Sequence, residues 1–247
     1  MLPTSLPAAL RPLALAESLQ PGGGLALRYD ASRTRTASEA FAVRAGNCLS
    51  LVLMTAALAR EAGLEVRFQQ ALGSPLVTRE EDLVLLSGHV NVVLDAPRPR
   101  REWNVTQVQP DPRGLQIDFV PEDDLRGLRL VAISEPRVRA MFMSNRAAEA
   151  LLAQQPAQAY AWAREAVLPD PPYWPALNTL GVVYQRAGHL DEARAAYAHA
   201  LAQDSQNQAA LGNLDQMLRR AVATSASPAE QARYTAKLDA LRALARH

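Results

Sequence analysis

Three side chains of this sequence, a cysteine, a histidine and an aspartate, could together perform nucleophilic chemistry. Cys48 is the only cysteine among the 247 residues, and it stands at the predicted start of an apolar helix. His89 and Asp118 follow in two segments with the apolar pattern of β-strands, 89–94 and 115–120. In this chain order the residues supply a nucleophile, a general base and a carboxylate that orients the base. We therefore predict a catalytic triad of Cys48, His89 and Asp118.

The start of a helix is a favourable place for a reactive thiol. The backbone N–H groups of the first turn have no partner within the helix, and the helix dipole places partial positive charge there. Both effects stabilise a thiolate. Asn47 has a side chain suited to the helix N-cap, and Gly63 is suited to the position after the helix end. The helix is therefore predicted over 48–62, and the Cys48 N–H is expected to stabilise an oxyanion, beside a second donor that the sequence does not identify.

The composition indicates a globular protein and argues against several kinds of site. Hydrophobic residues make up 49% of the chain, and 26 basic against 25 acidic residues leave a net charge of +1. No run of basic residues is interleaved with aromatic ones, so nucleic acid is not an expected partner. One cysteine and scattered histidines do not supply a zinc site, and the glycines at 22–24 lack the context of a phosphate or dinucleotide loop. No metal and no cofactor are therefore expected.

The first part of the chain, residues 1–134, has the pattern of an α+β domain. Helices are predicted over 12–19 and 37–43, ahead of the apolar helix that begins at Cys48. Short β-rich segments separated by polar or proline-rich turns follow, at 64–70, 83–86, 89–94, 103–108 and 115–120. A buried helix followed by consecutive strands predicts an antiparallel meander packed against that helix.

The remainder, residues 135–247, is helical and repetitive. Residues 177–184 read Leu-x-x-Leu-Gly-x-x-Tyr, and Ala193, Tyr197 and Ala200 follow. This spacing matches the tetratricopeptide repeat (TPR), whose period is about 34 residues. We therefore predict an all-α TPR array in this part of the chain.

The repeat period also predicts the flanking helix pairs. A shift of about 34 residues towards the N-terminus gives a first repeat over 140–170, in which small residues occupy the close-packing positions: Ala147, Ala159, Ala163 and Ala166. A looser third unit over 211–245 suits a terminal cap. The groove of such an array is expected to bind a protein or peptide partner.

The sequence around Cys48 resembles a family of cysteine hydrolases. Arg-Ala-Gly-Asn-Cys at 44–48 begins an apolar helix that leads into Ala-Arg-Glu-Ala-Gly-Leu-Glu-Val-Arg at 59–67, and strands with a histidine and an aspartate follow. Over residues 37–130 this pattern is similar to the transglutaminase-like, papain-like superfamily. The resemblance implies a cysteine helix packed on an antiparallel sheet, with Cys48 as nucleophile, His89 as general base and acid, and Asp118 as the residue that orients His89.

The sequence departs from that family's pattern after the histidine and after the aspartate. The family often has Ala-Trp after its histidine and a proline after its aspartate, whereas Val-Asn and Phe stand at these places here. Asn104 and Asp95 are therefore alternatives to Asp118 as the orienting residue.

Two functions of different classes are compatible with these features. The first is a thiol-dependent hydrolase or acyltransferase acting on peptide or protein amide bonds, in which water as acceptor gives hydrolysis and an amine gives transamidation. The second is a non-catalytic adaptor that retains an inactive fold and binds a partner through its repeats. The reactivity of Cys48 separates them, because an adaptor does not need an activated thiol.

The first 20 residues do not have the features of a targeting or membrane segment. They are largely apolar but lack a basic region and are interrupted by Pro3, Pro7 and Pro12, so neither a signal peptide nor a membrane span is predicted. The fusion of such a domain to TPR repeats resembles bacterial proteins that act in or near the periplasm. That resemblance favours a periplasmic or cell-envelope location over a cytoplasmic one.

Overall fold

The computed structural model describes residues 6–20, 22–80, 83–95, 108–111, 114–119, 128–205, 207–225, 227–229 and 231–236. The chain divides into two compact units. The N-terminal unit comprises Met1–Pro75 and Gly88–Val138, and the C-terminal unit comprises Leu76–Ser87 and Arg139–His247. Among the described residues, no helix combines the length and the hydropathy needed to cross a membrane.

Three helices and a short parallel pair of strands begin the N-terminal unit. The helices are α1 (Arg11–Leu19), α2 (Ala37–Val43) and α3 (Cys48–Glu61). Strands β1 (Arg28–Tyr29) and β2 (Ala45–Gly46) pair in parallel, and β2 leads directly into α3. The chain therefore enters the cysteine helix from a strand that is fixed by a neighbour.

Helix α3 begins and ends as its sequence predicts. The Asn47 side chain caps it by accepting a hydrogen bond from the backbone N–H of Ser50 at 2.9 Å. At the other end Gly63 has a φ of +73°, the left-handed conformation that favours glycine. Residues of the first three turns are buried on nearly every side of the helix, as the apolar sequence predicts.

The larger sheet of the N-terminal unit differs from the predicted meander. Its strands are β3 (Val66–Glu80), β4 (Leu83–Leu94), β5 (Val108–Asp111), β6 (Gly114–Ile117) and β7 (Arg129–Ile133). They lie in the order β5-β6-β4-β3-β7. The last strand pairs antiparallel with β3, and β6 pairs antiparallel with β4. The meander prediction is therefore wrong, because long-range pairings that no local pattern reports decide which strand lies at each edge.

Three strand boundaries also differ from prediction. The segments 83–86 and 89–94 form one strand, β4, because a glycine at 88 is tolerated within a strand. His89 consequently lies inside a strand rather than at its start. Strand β6 ends at Ile117, so Asp118 follows the strand. Of the strand predicted over 103–108, Val108 begins β5 and residues 103–107 lie outside the described part of the chain.

The C-terminal unit is helical in its described residues apart from the end of strand β3 and the beginning of strand β4. Its helices are α4 (Glu135–Leu152, which begins in the N-terminal unit), α5 (Pro156–Val167), α6 (Trp174–Arg186), α7 (Leu190–Gln203) and α8 (Gln208–Thr224). Successive helices from α5 to α8 pack against each other. The last nine residues of the predicted third unit, 237–245, lie outside the described residues.

Small residues allow these helices to approach closely. A Cβ on Gly181 of α6 would lie 2.6 Å from the ring of Tyr197 on α7, so only glycine fits there. The four alanines that the repeat period places at equivalent positions of the preceding helix pair are fully buried: Ala147, Ala159, Ala163 and Ala166. The close packing of the helices in this unit therefore depends on the small residues at these positions.

Candidate active site

Two neighbouring strands bring His89 and Asp118 together. Strand β4 is the central strand of the sheet order, and its residues from 89 to 94 are buried on both faces. His89 and Asn91 lie two residues apart and therefore share a face. Val92 pairs with Ile117 of the antiparallel strand β6, which places the next residue, Asp118, opposite Asn91. The strand register therefore places the Asp118 carboxylate next to the His89 ring.

The Asp118 carboxylate accepts hydrogen bonds from two side chains of β4, those of His89 and Asn91. His89 Nε2 lies 2.9 Å from Oδ1 and 3.0 Å from Oδ2 of Asp118. The Asn91 amide nitrogen donates to Oδ2 at 3.3 Å. His89 and Asp118 are each only 4% exposed, and Asn91 is fully buried. The carboxylate therefore fixes the imidazole in one orientation, away from water.

Cys48 contacts the same imidazole from helix α3. Its side chain is buried, and its sulfur lies close enough to the His89 ring to raise the pKa of that histidine. The other ring nitrogen, Nδ1, is buried and makes no hydrogen bond of ordinary geometry among the described residues. Because Nε2 is occupied by Asp118, Nδ1 is the atom left to face the sulfur. The structure therefore brings Cys48, His89 and Asp118 into contact in that order.

The surroundings of His89 favour its charged form. Burial alone lowers the pKa of His89, but the hydrogen bond and charge of Asp118 and the contact with Cys48 outweigh it and raise the pKa to about 9. At neutral pH the ring is thus an imidazolium between a carboxylate and a sulfur. An imidazolium next to a thiol stabilises the thiolate, which is the nucleophilic form.

A buried hydrogen-bond network holds the start of α3 against the preceding loop. The Asn47 amide nitrogen donates to Thr34 Oγ1 at 2.8 Å. The Ser50 hydroxyl donates to Asn47 Oδ1 at 2.8 Å and accepts from the Arg35 backbone N–H at 2.7 Å. Thr34 and Ser50 are almost fully buried. The loop and the first turn of the helix are therefore fixed relative to each other.

Gly46 lets strand β2 lie directly on that first turn. A Cβ at this position would stand 2.6 Å from the Cβ of Ser50 and 3.3 Å from its hydroxyl oxygen. Such contacts are too short for any side chain, so the close approach requires glycine. The Gly-Asn-Cys sequence thus supplies in turn the close contact, the cap and the thiol.

Tyr29 also reaches the site, and sequence reasoning did not find it. It pairs with Gly46 in the parallel β1–β2 ladder, two residues before Cys48. Burial raises the pKa of Tyr29, the charge of a Cys48 thiolate raises it further, and a hydrogen bond from the Cys48 backbone N–H lowers it. The Tyr29 hydroxyl therefore lies beside both the backbone and the sulfur of Cys48. No motif in the sequence signals this contact, because it depends on the pairing of two-residue strands.

The alternatives to Asp118 have different positions. Asp95 follows strand β4 with an exposed side chain, and its backbone N–H donates to the carbonyl of Glu65. Asn104 lies outside the described residues. In the described part of the chain, no group of three or more His, Cys, Asp or Glu side chains is arranged to hold a metal ion.

Comparison with known families and proteins assigns one part of the chain to a known family. No match to a transglutaminase-like family was found for the N-terminal unit, so that resemblance rests on the residues alone. A search of curated proteins returned no match. Residues 174–207, which contain α6 and α7, match the tetratricopeptide repeat family. The chain therefore contains a tetratricopeptide repeat, which indicates protein–protein interaction.

Proposed function

We propose that the N-terminal unit is a thiol-dependent hydrolase or acyltransferase that acts on amide bonds of a peptide or protein. The observation that carries this proposal is the buried His89 imidazole, which binds Asp118 through Nε2 and contacts the only cysteine of the chain. A base that is oriented by a carboxylate and contacts a nucleophile is the arrangement that covalent catalysis requires.

Catalysis begins with attack of the Cys48 thiolate on the carbonyl carbon of the substrate. The electrons of the C=O double bond move to oxygen, and the resulting oxyanion takes the place of the Tyr29 hydroxyl oxygen as acceptor of the Cys48 backbone N–H at the start of α3. The C=O bond then re-forms as the C–N bond breaks, and the His89 imidazolium gives its proton to the leaving nitrogen. The product is a thioester on Cys48 with a neutral imidazole beside it.

The second half of the reaction returns the enzyme to its starting state. His89 takes a proton from the acceptor, which attacks the thioester carbon, and the sulfur leaves as the thiolate that pairs with the new imidazolium. Water as acceptor gives hydrolysis, and a primary amine gives transamidation. Asp118 keeps Nε2 occupied throughout, so that Nδ1 is the nitrogen that exchanges protons.

The energetics of the site argue against a purely structural role for these residues. Burial of a carboxylate and an imidazolium costs free energy that their attraction offsets only in part, and apolar residues of similar volume often give equal stability. A structural domain gains little from such a pair next to its only thiol. Buried ionisable groups with a raised or lowered pKa are typical of catalytic sites.

The C-terminal unit would bring the site its protein substrate or a protein partner. The tetratricopeptide repeat at 174–207 supports protein binding by this unit. The adaptor function proposed from the sequence shares this property, so the two proposals differ only in the chemistry of Cys48.

Alkylation of Cys48 tests the proposal, because the chain has no second thiol to confuse the measurement. Iodoacetamide labelling would be followed by intact-mass spectrometry between pH 5 and pH 9, with the urea-unfolded chain as the ordinary thiol. We expect the folded protein to keep a substantial rate at pH 6, where a free thiol of pKa about 8.5 is almost unreactive. The shape of the pH profile is compared, since burial slows labelling at every pH.

Variants locate the cause of that reactivity. We expect His89→Ala to remove the rate at pH 6, and Asp118→Asn to reduce it by about 10- to 100-fold, as for other residues that orient a functional histidine. His199→Ala, on the exposed face of α7, is the matched control and should leave the profile unchanged. If the pH profiles of alkylation for the folded wild type and for the His89→Ala variant both match that of the unfolded chain, the result would favour the adaptor function.

A further inference from the structure

We propose that Asn91 is a positioning residue of the site, whose side-chain amide holds the Asp118 carboxylate in place against the His89 ring. This role rests on the function proposed above and adds a fourth residue to the site. Asn91 acts through Asp118 and takes no part in the steps that make or break bonds.

The end of strand β6 explains why the Asp118 carboxylate has to be held. The strand ends at Ile117, so Asp118 lies just beyond the ladder that fixes the backbone of β6. His89 Nε2 lies at nearly equal distances, 2.9 and 3.0 Å, from the two carboxylate oxygens. A bond to the ring alone would therefore let the carboxylate turn between two similar positions. A donor on one of the oxygens removes this freedom.

Asn91 supplies that donor from the central strand of the sheet. Its amide nitrogen donates to Oδ2 of Asp118 at 3.3 Å, and its side chain is fully buried. The pairing of Val92 with Ile117 places Asn91 opposite Asp118, and the β carbons of residues in opposite positions lie about 5 Å apart. The short side chain of asparagine is therefore long enough. With Oδ2 bound by the amide, Oδ1 is left to accept from the imidazole.

The same hydrogen bond supports the charge of the site. An N–H group that donates to a carboxylate favours its ionised form. The ionised Asp118 in turn favours the imidazolium form of His89, which is the form that stabilises the Cys48 thiolate. Asn91 is thus linked to the thiol through two successive contacts, first with the carboxylate and then with the ring.

The other polar atom of Asn91 argues against a role in stability alone. Its Oδ1 is buried and has no hydrogen-bond partner among the described residues. A buried polar atom without a partner costs free energy, and asparagine is disfavoured within strands. The residues that follow His89 in β4 are otherwise apolar: Val90, Val92, Val93 and Leu94. A valine would suit the strand better, so the gain that offsets these costs lies at the carboxylate.

Alkylation of Cys48 by iodoacetamide in Asn91→Leu tests this role, because leucine keeps the approximate volume of asparagine and removes its donor. The quantity compared is the ratio of the rate at pH 6 to the rate at pH 9, which cancels a change in access to the sulfur. We expect this ratio to fall about 10-fold, the lower end of the range for residues that orient a functional histidine. A residue that serves stability alone would lower the melting temperature and leave the ratio unchanged.

The same substitution combined with Asp118→Asn shows whether Asn91 acts through the carboxylate. We expect the ratio for the double variant to stay within about twofold of that for Asp118→Asn alone, because residues that act in one network are not additive. Asn91→Val carries the same expectation as Asn91→Leu and replaces it if circular dichroism shows the leucine variant to be unfolded.

Val93→Thr is the matched control, on the same face of β4 two residues further along. It buries a hydroxyl without changing the shape of the side chain, so it should lower the melting temperature. We expect its ratio of alkylation rates to remain that of the wild type, since residue 93 lies opposite Gln116 and not opposite Asp118.

Three results would overturn the inference. A wild-type ratio in folded Asn91→Leu or Asn91→Val means that the amide does not position the carboxylate, and an equal fall with and without Asp118→Asn means that Asn91 acts independently of it. Failure of both Asn91 variants to fold would show that the residue serves the strand. The proposed function survives each of these results if the wild type alkylates at pH 6 in a manner that depends on His89. A wild-type profile that follows the unfolded chain overturns both.

Discussion

The two units of the molecule bury polar and small residues for different purposes. In the N-terminal unit a histidine and an aspartate are buried together beside a thiol. In the C-terminal unit the buried polar side chains among the described residues are uncharged, as in the Asn213–Asn178 hydrogen bond of 3.1 Å. Alanines and one glycine set the distances between its helices. The N-terminal unit therefore buries groups that can carry charge, whereas the C-terminal unit buries small and uncharged groups that let its helices pack closely.

This difference has a thermodynamic meaning. Close packing of small and aromatic residues contributes directly to stability, and its loss is costly. A buried ion pair contributes little net stability but depends on pH and on both partners being present. Substitutions in the two units should therefore change the free energy of unfolding by different amounts, and those at the buried ion pair should depend on pH.

The largest effect is expected at Tyr197 in the C-terminal unit. Its side chain is fully buried against Gly181, and its hydroxyl donates to Gln185 at 2.7 Å. Tyr197→Ala should lower the free energy of unfolding by about 3–5 kcal/mol, because it leaves a cavity that helix α6 cannot fill. Urea unfolding followed by circular dichroism measures this, with Tyr160→Ala as the exposed control. A loss below about 1 kcal/mol would contradict this account of the packing.

The pH dependence of stability should be the next largest effect, and it belongs to the N-terminal unit. Because the pKa of His89 is raised from 6.5 to about 9, the native state binds a proton more tightly than the unfolded chain. The stabilisation is complete below pH 6.5 and is lost as the pH rises through 9, on the order of 3 kcal/mol.

Urea unfolding at pH 6, 7.5 and 9.5 measures this loss, and His89→Gln provides the reference because it cannot titrate. We expect the difference between the wild type and His89→Gln to shrink over that range. A difference that is constant, or that grows with pH, would mean that His89 is neutral in the native protein.

The smallest effect is expected for an ion pair of the same unit that lies on the surface. Arg60 of α3 binds Glu135 through two hydrogen bonds of 2.6 and 3.2 Å, and both side chains are about half exposed. Glu135→Gln should cost about 0.5 kcal/mol, and less in high salt, because water screens the charges. Thermal melts at low and high salt measure the difference. A loss of stability as large as that expected for a buried ion pair would contradict the expected difference between this surface pair and the buried His89–Asp118 pair.

Local signals in the sequence predicted the elements whose contacts are close in the chain. Asn47 caps α3 and Gly63 follows its end, as predicted, because capping is decided within four residues. The helix pair at 174–207 was likewise predicted, since each repeat contacts mainly its neighbours. For the same reason a shift of one period identified buried alanines in α4 and α5.

Contacts between distant segments could not be predicted in the same way. The order of the strands depends on pairings such as β3 with β7, which lie some 60 residues apart in register. The types of Cys48, His89 and Asp118 suggested one site, but only the β4–β6 register brings the aspartate to the histidine. Tyr29 was missed because a two-residue strand carries no periodicity.

The tight contact at Gly46 has a consequence for finding related chains. Because no side chain fits between residue 46 and Ser50, and because Asn47 and Ser50 share one hydrogen-bond network, the residue types at positions 46, 47 and 50 depend on one another, and Cys48 lies between them. Glycine, asparagine, cysteine and serine at this spacing, with a tyrosine about 17 residues before the glycine, form a compact search pattern. A chain that keeps the glycine, the asparagine and the serine but replaces the cysteine would have the same helix start without the thiol.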